Sequence, residues 1–521
     1  MEPRKTVAVI GCGASAVAFL HSFVDICIDN QIDYLDFIIF EPSSELGSGL
    51  AYQTDTDNLI INRPLESMSV NVNISSDFKH WMDKHHISSK DIITDGHTTY
   101  SSRPLFGKYL SDTLEKVLLK ALQNHIQIRI VRKTAIKVLK TESYKIITAD
   151  NEVLHSNYII FCTGNNQPHD IYSLNETPSY INNPYPLYPK INSIQHKKTI
   201  AVLGNSLTAI DIALALSNKG YKGKIILFSR SPNYPKVRGP IRPYKLKFLT
   251  NCALTNIKQT KTKISLRDLL RLLRKELKTS GTDWKMLFKE NLENQSALAV
   301  LENEVTQANL HRSWQSILCA TNEIIELSWS ILTNTAKIQF LKKYSRVWLN
   351  NRTPIPLSNA KKLIKIIKIG QLEFIPRINS IVYDSRLQKY SIRTENNATY
   401  LCETVINATG PSRYIHSCDF LMNSLLEEGL ARENAFGGLD VDFETASLLD
   451  SEGNKDNNLR LLGHNTTGTY GYTSSLEMIT KKAQIIAINL ANLIQETNYD
   501  KNKMVNDARV DPFGHIASFI N

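Results

Sequence analysis

The chain has 521 residues, of which 42% are hydrophobic and 21% charged. That length exceeds what one hydrophobic core sustains, so two or three domains are expected, and the composition excludes a disordered or fibrous protein. A net charge of +11, from 61 Lys and Arg against 50 Asp and Glu, favours anionic ligands such as phosphate-rich cofactors.

In chain order, residues 6–10 read as a buried strand that runs into Gly11-Cys12-Gly13-Ala14-Ser15-Ala16 and then an apolar helical segment over 17–28. Strand, glycine turn and helix start make a phosphate cradle, because unpaired helix N–H groups and the positive end of the helix dipole face a pyrophosphate. Residues 36–40 read as the next buried strand, after a loop at 30–33. This strand ends in Glu41, placed to accept hydrogen bonds from ribose hydroxyls. Residues 126–131, 135–139 and 144–148 read as a small antiparallel meander, followed by a strand at 158–161 that enters Cys162-Thr163-Gly164.

The arrangement then repeats. Residues 199–203 lead into Gly204-Asn205-Ser206-Leu207-Thr208-Ala209, and a strand at 224–229 ends in Ser229 and then Arg230, at the place of Glu41. A guanidinium there suits a 2′-phosphate, which a carboxylate repels. FAD is therefore expected at the first cradle (Gly11, Gly13, Ser15, Ala16, Glu41, Thr163, Gly164) and NADPH at the second (Gly204, Ser206, Thr208, Ser229, Arg230). Ser206 stands where the fingerprint usually has a second glycine, and holds the nicotinamide dinucleotide slightly further off. A second meander, at 372–375, 379–383 and 390–394, precedes a strand at 404–407 that ends in Ala408-Thr409-Gly410-Pro411, with Gly410 as a further cofactor contact.

Residues 240–370 change to helical periodicity, with Leu266, Leu269, Leu270, Leu273 and Leu277 on one stripe. Trp284, Trp314, Trp329 and Trp348 read there as core anchors. Lysine and arginine concentrate over 236–278 and 337–368. They are taken as the solvated faces of helices, and no nucleic acid or membrane partner is expected. Such an insertion suits a lid or substrate selector. Near the C-terminus a strand at 459–462 enters Gly463-His464, and Ser474 and Ser475 open a helix over 475–495. Gly463, Ser474 and Ser475 are expected as FAD contacts, with the helix start beneath the flavin pyrimidine. His464 is either a proton relay or a satisfied structural group. Seven scattered cysteines show neither C-x-x-C nor zinc spacing, so no disulfide framework, redox pair or metal is expected. The charged N-terminus shows no cleavable signal and no apolar run is long enough to span a bilayer, so the expected location is cytoplasmic.

The expected fold is α/β, a two-dinucleotide-binding-domain flavoprotein with Rossmann-like FAD and NADPH domains and a helical insertion. Residues 1–180 and 408–521 form the FAD-binding domain, 181–239 and 371–407 the NADPH-binding domain, and 240–370 the insertion.

Several motifs carry a resemblance. They are Gly11-x-Gly13-x-Ser15, Gly47-x-Gly49-x-Ala51-Tyr52, Asn62-Arg63-Pro64 with Met68-Ser69, and Arg103-Pro104-Leu105-Phe106-Gly107-Lys108-Tyr109-Leu110. Further along come Gly204-x-Ser206-Leu207-Thr208-Ala209-x-Asp211, Ser229-Arg230, Trp348 with Arg352 and Pro354, and Ala408-Thr409-Gly410-Pro411. Together they resemble the bacterial FAD/NAD(P)-binding flavoproteins related to flavin N-hydroxylases and Baeyer–Villiger monooxygenases, some of which are amino-acid N-oxygenases. The resemblance implies that NADPH reduces FAD, dioxygen adds at the flavin C4a, and the hydroperoxide hands one oxygen atom to the nitrogen of a small amine or amino acid. Gly49 then joins the cofactor contacts. Asn62 is either a polar group beside the flavin or a turn residue before Arg63-Pro64. Arg63 and Arg103 are either anchors for a substrate carboxylate or phosphate, or ion-pair partners. Two other readings stay open: an FAD-dependent NAD(P)H dehydrogenase without oxygen insertion, and a flavin-binding protein whose insertion docks a partner.

Overall fold

The computed structural model describes residues 4–32, 34–55, 59–87, 91–96, 98–288 and 295–510. Asp33 of the loop expected at 30–33 and the C-terminal end of the expected FAD-binding part, 511–521, lie outside the described residues.

Two parallel sheets organise the chain, each built on an apolar strand too buried for alternation. In the first, β1 (Lys5–Ile10) pairs with β2 (Leu35–Phe40) on one side and with β7 (Tyr158–Phe161) on the other. Strand β3 (Gln127–Val131) extends this sheet beyond β2, in parallel. The antiparallel meander consists of β4 (Ala135–Lys140), β5 (Tyr144–Thr148) and β6 (Val153–Ser156). The first meander therefore differs from the expectation: residues 127–131 belong to the parallel sheet, and the third meander strand is a short one at 153–156.

The second sheet repeats the plan. Strand β8 (Thr199–Leu203) lies between β9 (Lys224–Ser229) and a later strand, and β10 (Leu372–Pro376) extends the sheet beyond β9. The meander β11 (Ile378–Asp384), β12 (Lys389–Thr394) and β13 (Thr399–Cys402) comes next, and β14 (Thr404–Asn407) returns to pair with β8. Here too the first strand assigned to the meander, at 372–376, is part of the parallel sheet. The C-terminal strands β15 (Ser447–Leu449) and β16 (Lys455–Leu461) complete the first sheet beside β7.

Helix α1 (Ala14–Asp29) packs against α2 (Arg103–Gln123) and along the long C-terminal helix, while α3 (Leu207–Asn218) follows β8. The C-terminal helix α4 (Leu476–Val510) covers the first sheet through Ala483, Ile486, Ala487, Leu490 and Ile494, all fully buried. Between 251 and 352 the named elements are helices with a core of their own, around Leu254, Leu277, Ile317 and Trp329. The helix Leu266–Thr279 starts in a capping box, in which Ser265 and Asp268 exchange side-chain and backbone hydrogen bonds. Its basic residues Arg267, Arg271, Arg274, Lys275 and Lys278 are exposed. No helix among the described residues is long and apolar enough to cross a membrane, and all seven cysteines are free thiols.

Candidate active site

Parallel register places Ile10 opposite both Phe40 and Phe161, and Phe161 opposite Leu461. The turns at Gly11, Glu41, Thr163-Gly164 and Gly463 therefore leave the sheet at one edge, the carboxyl edge where open α/β sheets bind ligands. Gly11 has φ +90°, and a Cβ there would lie 2.4 Å from the Cys162 carbonyl oxygen, so this turn accepts only glycine. Gly13 caps α1 with no side-chain hydrogen bond and no acidic residue in the first turn, which leaves the helix N–H groups to an anion. The Glu41 carboxylate accepts from the Cys12 N–H at 2.8 Å and the Ser43 N–H at 3.0 Å, which fixes it beside the turn. Gly47 donates to the Cys12 carbonyl at 2.8 Å, and a Cβ on Gly49 would come within 3.0 Å of the Gly13 Cα. The C-terminal turn closes on the same helix start, since a Cβ on Gly463 would lie 3.5 Å from Ser15 Oγ. Ala16 is fully buried, so its side chain packs in the core and only its backbone N–H can serve a ligand. Cys12 is also fully buried, and burial pushes its thiol up to about 12, leaving it inert.

The second sheet repeats this steric relation. Gly204 has φ +128°, and its Cβ would lie 2.6 Å from the Ala408 carbonyl oxygen, just as Gly11 meets Cys162. Each carbonyl belongs to the residue before a Thr-Gly turn, Thr163-Gly164 in one unit and Thr409-Gly410 in the other. Ser206 caps α3 without a side-chain hydrogen bond and is exposed, and Arg230 is exposed at the end of β9. Ser229 Oγ donates to the Ser231 carbonyl at 2.6 Å, and Thr208 hydrogen-bonds Tyr185.

Between the two edges lies a polar junction. Asn62 presents its carbonyl to Arg238 Nη2 at 3.0 Å, and Arg238 also reaches the Pro354 carbonyl at 3.4 Å. Arg63 Nη1 donates to Ser475 Oγ at 2.8 Å, and its Nη2 lies 3.5 Å from Glu477 in the first turn of α4. Burial works to raise the Glu477 carboxyl, yet Lys481, Arg63 and Asn322 together hold it below its ordinary value. Arg352 donates to the Leu318 carbonyl, to Thr321 Oγ1 and to Asn322 Oδ1, and its guanidinium lies over the rings of Trp348 and Tyr472 at 5.2 and 4.9 Å. Desolvation, with Arg63 nearby, pushes the Arg352 guanidinium below its ordinary value, and its hydrogen-bond acceptors are all neutral. Asn62 Oδ1, Arg238 Nε, Arg352 Nε and Thr473 Oγ1 are buried here without a hydrogen-bond partner. Such atoms cost about 1–3 kcal/mol each, and their concentration at one junction fits a polar ring system and a substrate held there.

For Arg103 and His464, each left with two readings, the geometry supports the structural one. Arg103 Nη2 donates to Asp211 at 2.5 Å and its Nη1 to Tyr185 at 3.3 Å, so it is a structural tie between α2 and α3, not a substrate anchor. Burial pushes the Asp211 carboxyl above its ordinary value while Arg103 pulls it back down. His464 is buried with Nε2 bonded to the Ser412 carbonyl at 2.7 Å, and burial lowers its pKa. A ring held this way is a structural group, not a relay. Of the four tryptophans read as core anchors, Trp329 is buried while Trp284, Trp314 and Trp348 are half-buried, Trp348 against Phe340 and Tyr472. The insertion also docks on the C-terminal segment, through Asn322 to Glu477 at 2.9 Å and Trp329 Nε1 to the Gly468 carbonyl at 2.7 Å. Ser474 is exposed just before α4, and Ser475 is buried. Arg238, Asn322 and Thr473 were not singled out from sequence. A cleft of about 740 Å³ between residues 44–54 and α2 holds none of the expected site residues.

Residues 8–166 match the FAD-NAD(P)-binding family. An uncharacterised protein of Escherichia coli (strain K12), YdhS, is 20% identical over 459 residues, 78% of this chain and 83% of that protein. Among solved structures, the ornithine N-hydroxylase KtzI of Kutzneria sp. 744 superposes with a TM-score of 0.56 at 11% identity, covering 95% of this chain and all of its own. The ornithine hydroxylase PvdA of Pseudomonas aeruginosa gives 0.57 at 13% identity, covering 94% and 99%. The chain therefore shares the fold of these hydroxylases, and its residues 8–166 match an FAD-NAD(P)-binding family.

Proposed function

We propose that the protein is an NADPH-dependent flavin monooxygenase that inserts oxygen at the nitrogen of an amine or amino acid. The observation that carries this reading is the duplication, in which two uncapped helix starts close on Thr-Gly turns by one steric rule and face a shared junction of unpaired buried polar groups. In this reading residues 1–180 and 408–521 hold FAD, 181–239 and 371–407 hold NADPH, and 240–370 cover the substrate. The solved structures of like fold include an ornithine N-hydroxylase and an L-lysine 6-monooxygenase, which supports nitrogen as the acceptor.

FAD, when bound, supplies the electron transfer and oxygen activation. The chain supplies position and electrostatics. The start of α4 and Ser475 offer N–H and O–H donors to negative charge on a reduced ring. Asn62 offers a free amide oxygen to the junction, while Arg63 and Arg352 provide positive charge for a carboxylate. Trp348 and Tyr472 keep water from the site. No dedicated general base is needed where the substrate nitrogen is held neutral, and Arg230 selects NADPH over NADH.

The test is aerobic incubation of the yellow holoenzyme with NADPH and a panel of amines and amino acids, with products followed by mass spectrometry. An oxygenated product whose formation matches oxygen uptake is the expected result. Turnover that persists without oxygen and yields no such product makes the protein a reductase. A bound flavin that NADPH cannot bleach removes both readings.

A further inference from the structure

Inside the helical insertion lies an apolar cavity of about 120 Å³, walled by Leu273, Leu318, Ile324, Trp329, Phe340 and Trp348. It abuts the junction, because the Trp348 and Tyr472 rings that line it also lie against the Arg352 guanidinium, at 5.2 and 4.9 Å. Buried polar side chains also line it: Thr321, whose hydroxyl is bonded to the Leu318 carbonyl, and Ser328 and Asn351, each 6% exposed. Asn351 donates from Nδ2 to the carbonyls of Leu287 at 3.0 Å and Val347 at 2.9 Å, which fixes the amide and leaves Oδ1 unpaired. Ser328 Oγ is likewise buried without a partner. A core built only for packing places aliphatic groups at such positions, since each orphan is costly.

We infer that this cavity receives the side chain of the substrate, and that the side chain is apolar, about the size of a benzene ring, with one neutral N–H or O–H for Asn351 Oδ1. The inference rests on the proposed monooxygenase reading and names its substrate class. The size follows from comparison with an engineered apolar cavity of about 150 Å³ that takes up benzene. The polarity follows from the lining, because burying an unpaired ammonium among Leu273, Leu318 and Trp329 is costly, so a diamine or diamino acid is rejected. The amine end then points past Trp348 and Tyr472 to the junction, and a carboxylate, where present, meets the Arg352 guanidinium, whose acceptors are all neutral.

The test uses the FAD-loaded protein, with tyramine, phenethylamine and ornithine titrated against tryptophan emission and thermal midpoint, since Trp329 and Trp348 stand in the wall. Tyramine and phenethylamine are expected to bind, tyramine about fivefold tighter through its hydroxyl, and ornithine at least tenfold weaker than either. S328L, which fills the cavity, is expected to weaken both arylamines tenfold or more, while S328A, which frees only an unpaired hydroxyl, retains phenethylamine. Ornithine binding as tightly as phenethylamine in the unaltered protein overturns the inference whether or not S328L folds. Arylamines that bind but are never oxygenated leave the cavity assignment standing and remove the proposed reaction. Oxygenation of ornithine with no arylamine binding does the reverse.

Discussion

Replacing Arg103 with alanine separates its role as the ion-pair partner of Asp211 from that of an anchor for a substrate carboxylate or phosphate. Asp211 is 5% exposed, and Arg103 pairs with it at 2.5 Å. Removing one member of a buried pair leaves an uncompensated charge, a loss of about 3–5 kcal/mol, whereas an exposed pair would lose under about 1 kcal/mol. Without Arg103, burial acts on the Asp211 carboxyl unopposed except by Tyr185, so its folded-state pKa rises further. An acid whose folded pKa exceeds its unfolded value binds more protons when folded. Stability is therefore highest below the unfolded value, about 3.9, and falls as pH climbs towards the folded one. Urea titration of R103A at pH 5 and pH 7 should show the larger loss at pH 7. The double variant R103M/D211L should recover most of it, because both partners leave together. A loss below about 1 kcal/mol with no pH trend, or a rise in KM at unchanged stability, would refute the structural assignment.

Three further outcomes are expected. G11A forces a Cβ to within 2.4 Å of a backbone carbonyl at φ +90°, so the purified variant should lose its bound flavin, read as absorbance near 450 nm per protein. R230E puts a carboxylate where a 2′-phosphate should lie, and the NADPH to NADH ratio of kcat/KM for flavin reduction should drop at least about tenfold with the flavin content unchanged. Lys337 is 9% exposed between Trp329 and Phe436, and burial, helped by Lys263 against Asp440, lowers it from 10.5 to about 8. A base depressed in the folded state binds fewer protons there, so folding should stabilise between pH 8 and 10.5, by up to ~3 kcal/mol. K337M should abolish that rise and gain stability at pH 7, less about 0.5–2 kcal/mol of lost cation–π contact.

The cradles were legible because they are local. Gly11 and Gly204 are imposed by a turn a few residues long, and Glu41 and Arg230 by the strand ends that follow. Topology was legible only in part. Residues 127–131 and 372–376 alternate in a way that suits either a hairpin or the exposed side of a parallel edge strand, and only pairing with β2 and β9 decides between them. The strands at 153–156 and 399–402 are four residues each, too short for a periodic pattern to show alone. The junction was largely illegible because it is made of distant pairs. Arg103 meets Asp211 across 108 positions, Arg238 meets Asn62 across 176 and Arg63 meets Ser475 across 412, and no period or motif links such residues.

The two cradles obey one steric rule and differ in what encloses them, which bears on how each dinucleotide is held in the proposed reaction. The first is overlaid by the Gly47–Gly49 segment, hydrogen-bonded to Cys12 and packed on Gly13, and by the Gly463 turn against Ser15. A ligand seated there leaves only when those segments move, so its dissociation is slow whatever its contact energy. At the second cradle Ser206 and Arg230 are exposed, Asn205 donates from the glycine turn to the Asn233 carbonyl of the loop after β9, and Ser229 bonds Ser231 within that loop. A nicotinamide dinucleotide there is held by exposed charge and helix N–H groups, interactions that salt screens and that water replaces readily. A bound cofactor that stays and a reductant that exchanges follow from enclosure, with the same glycine geometry in both.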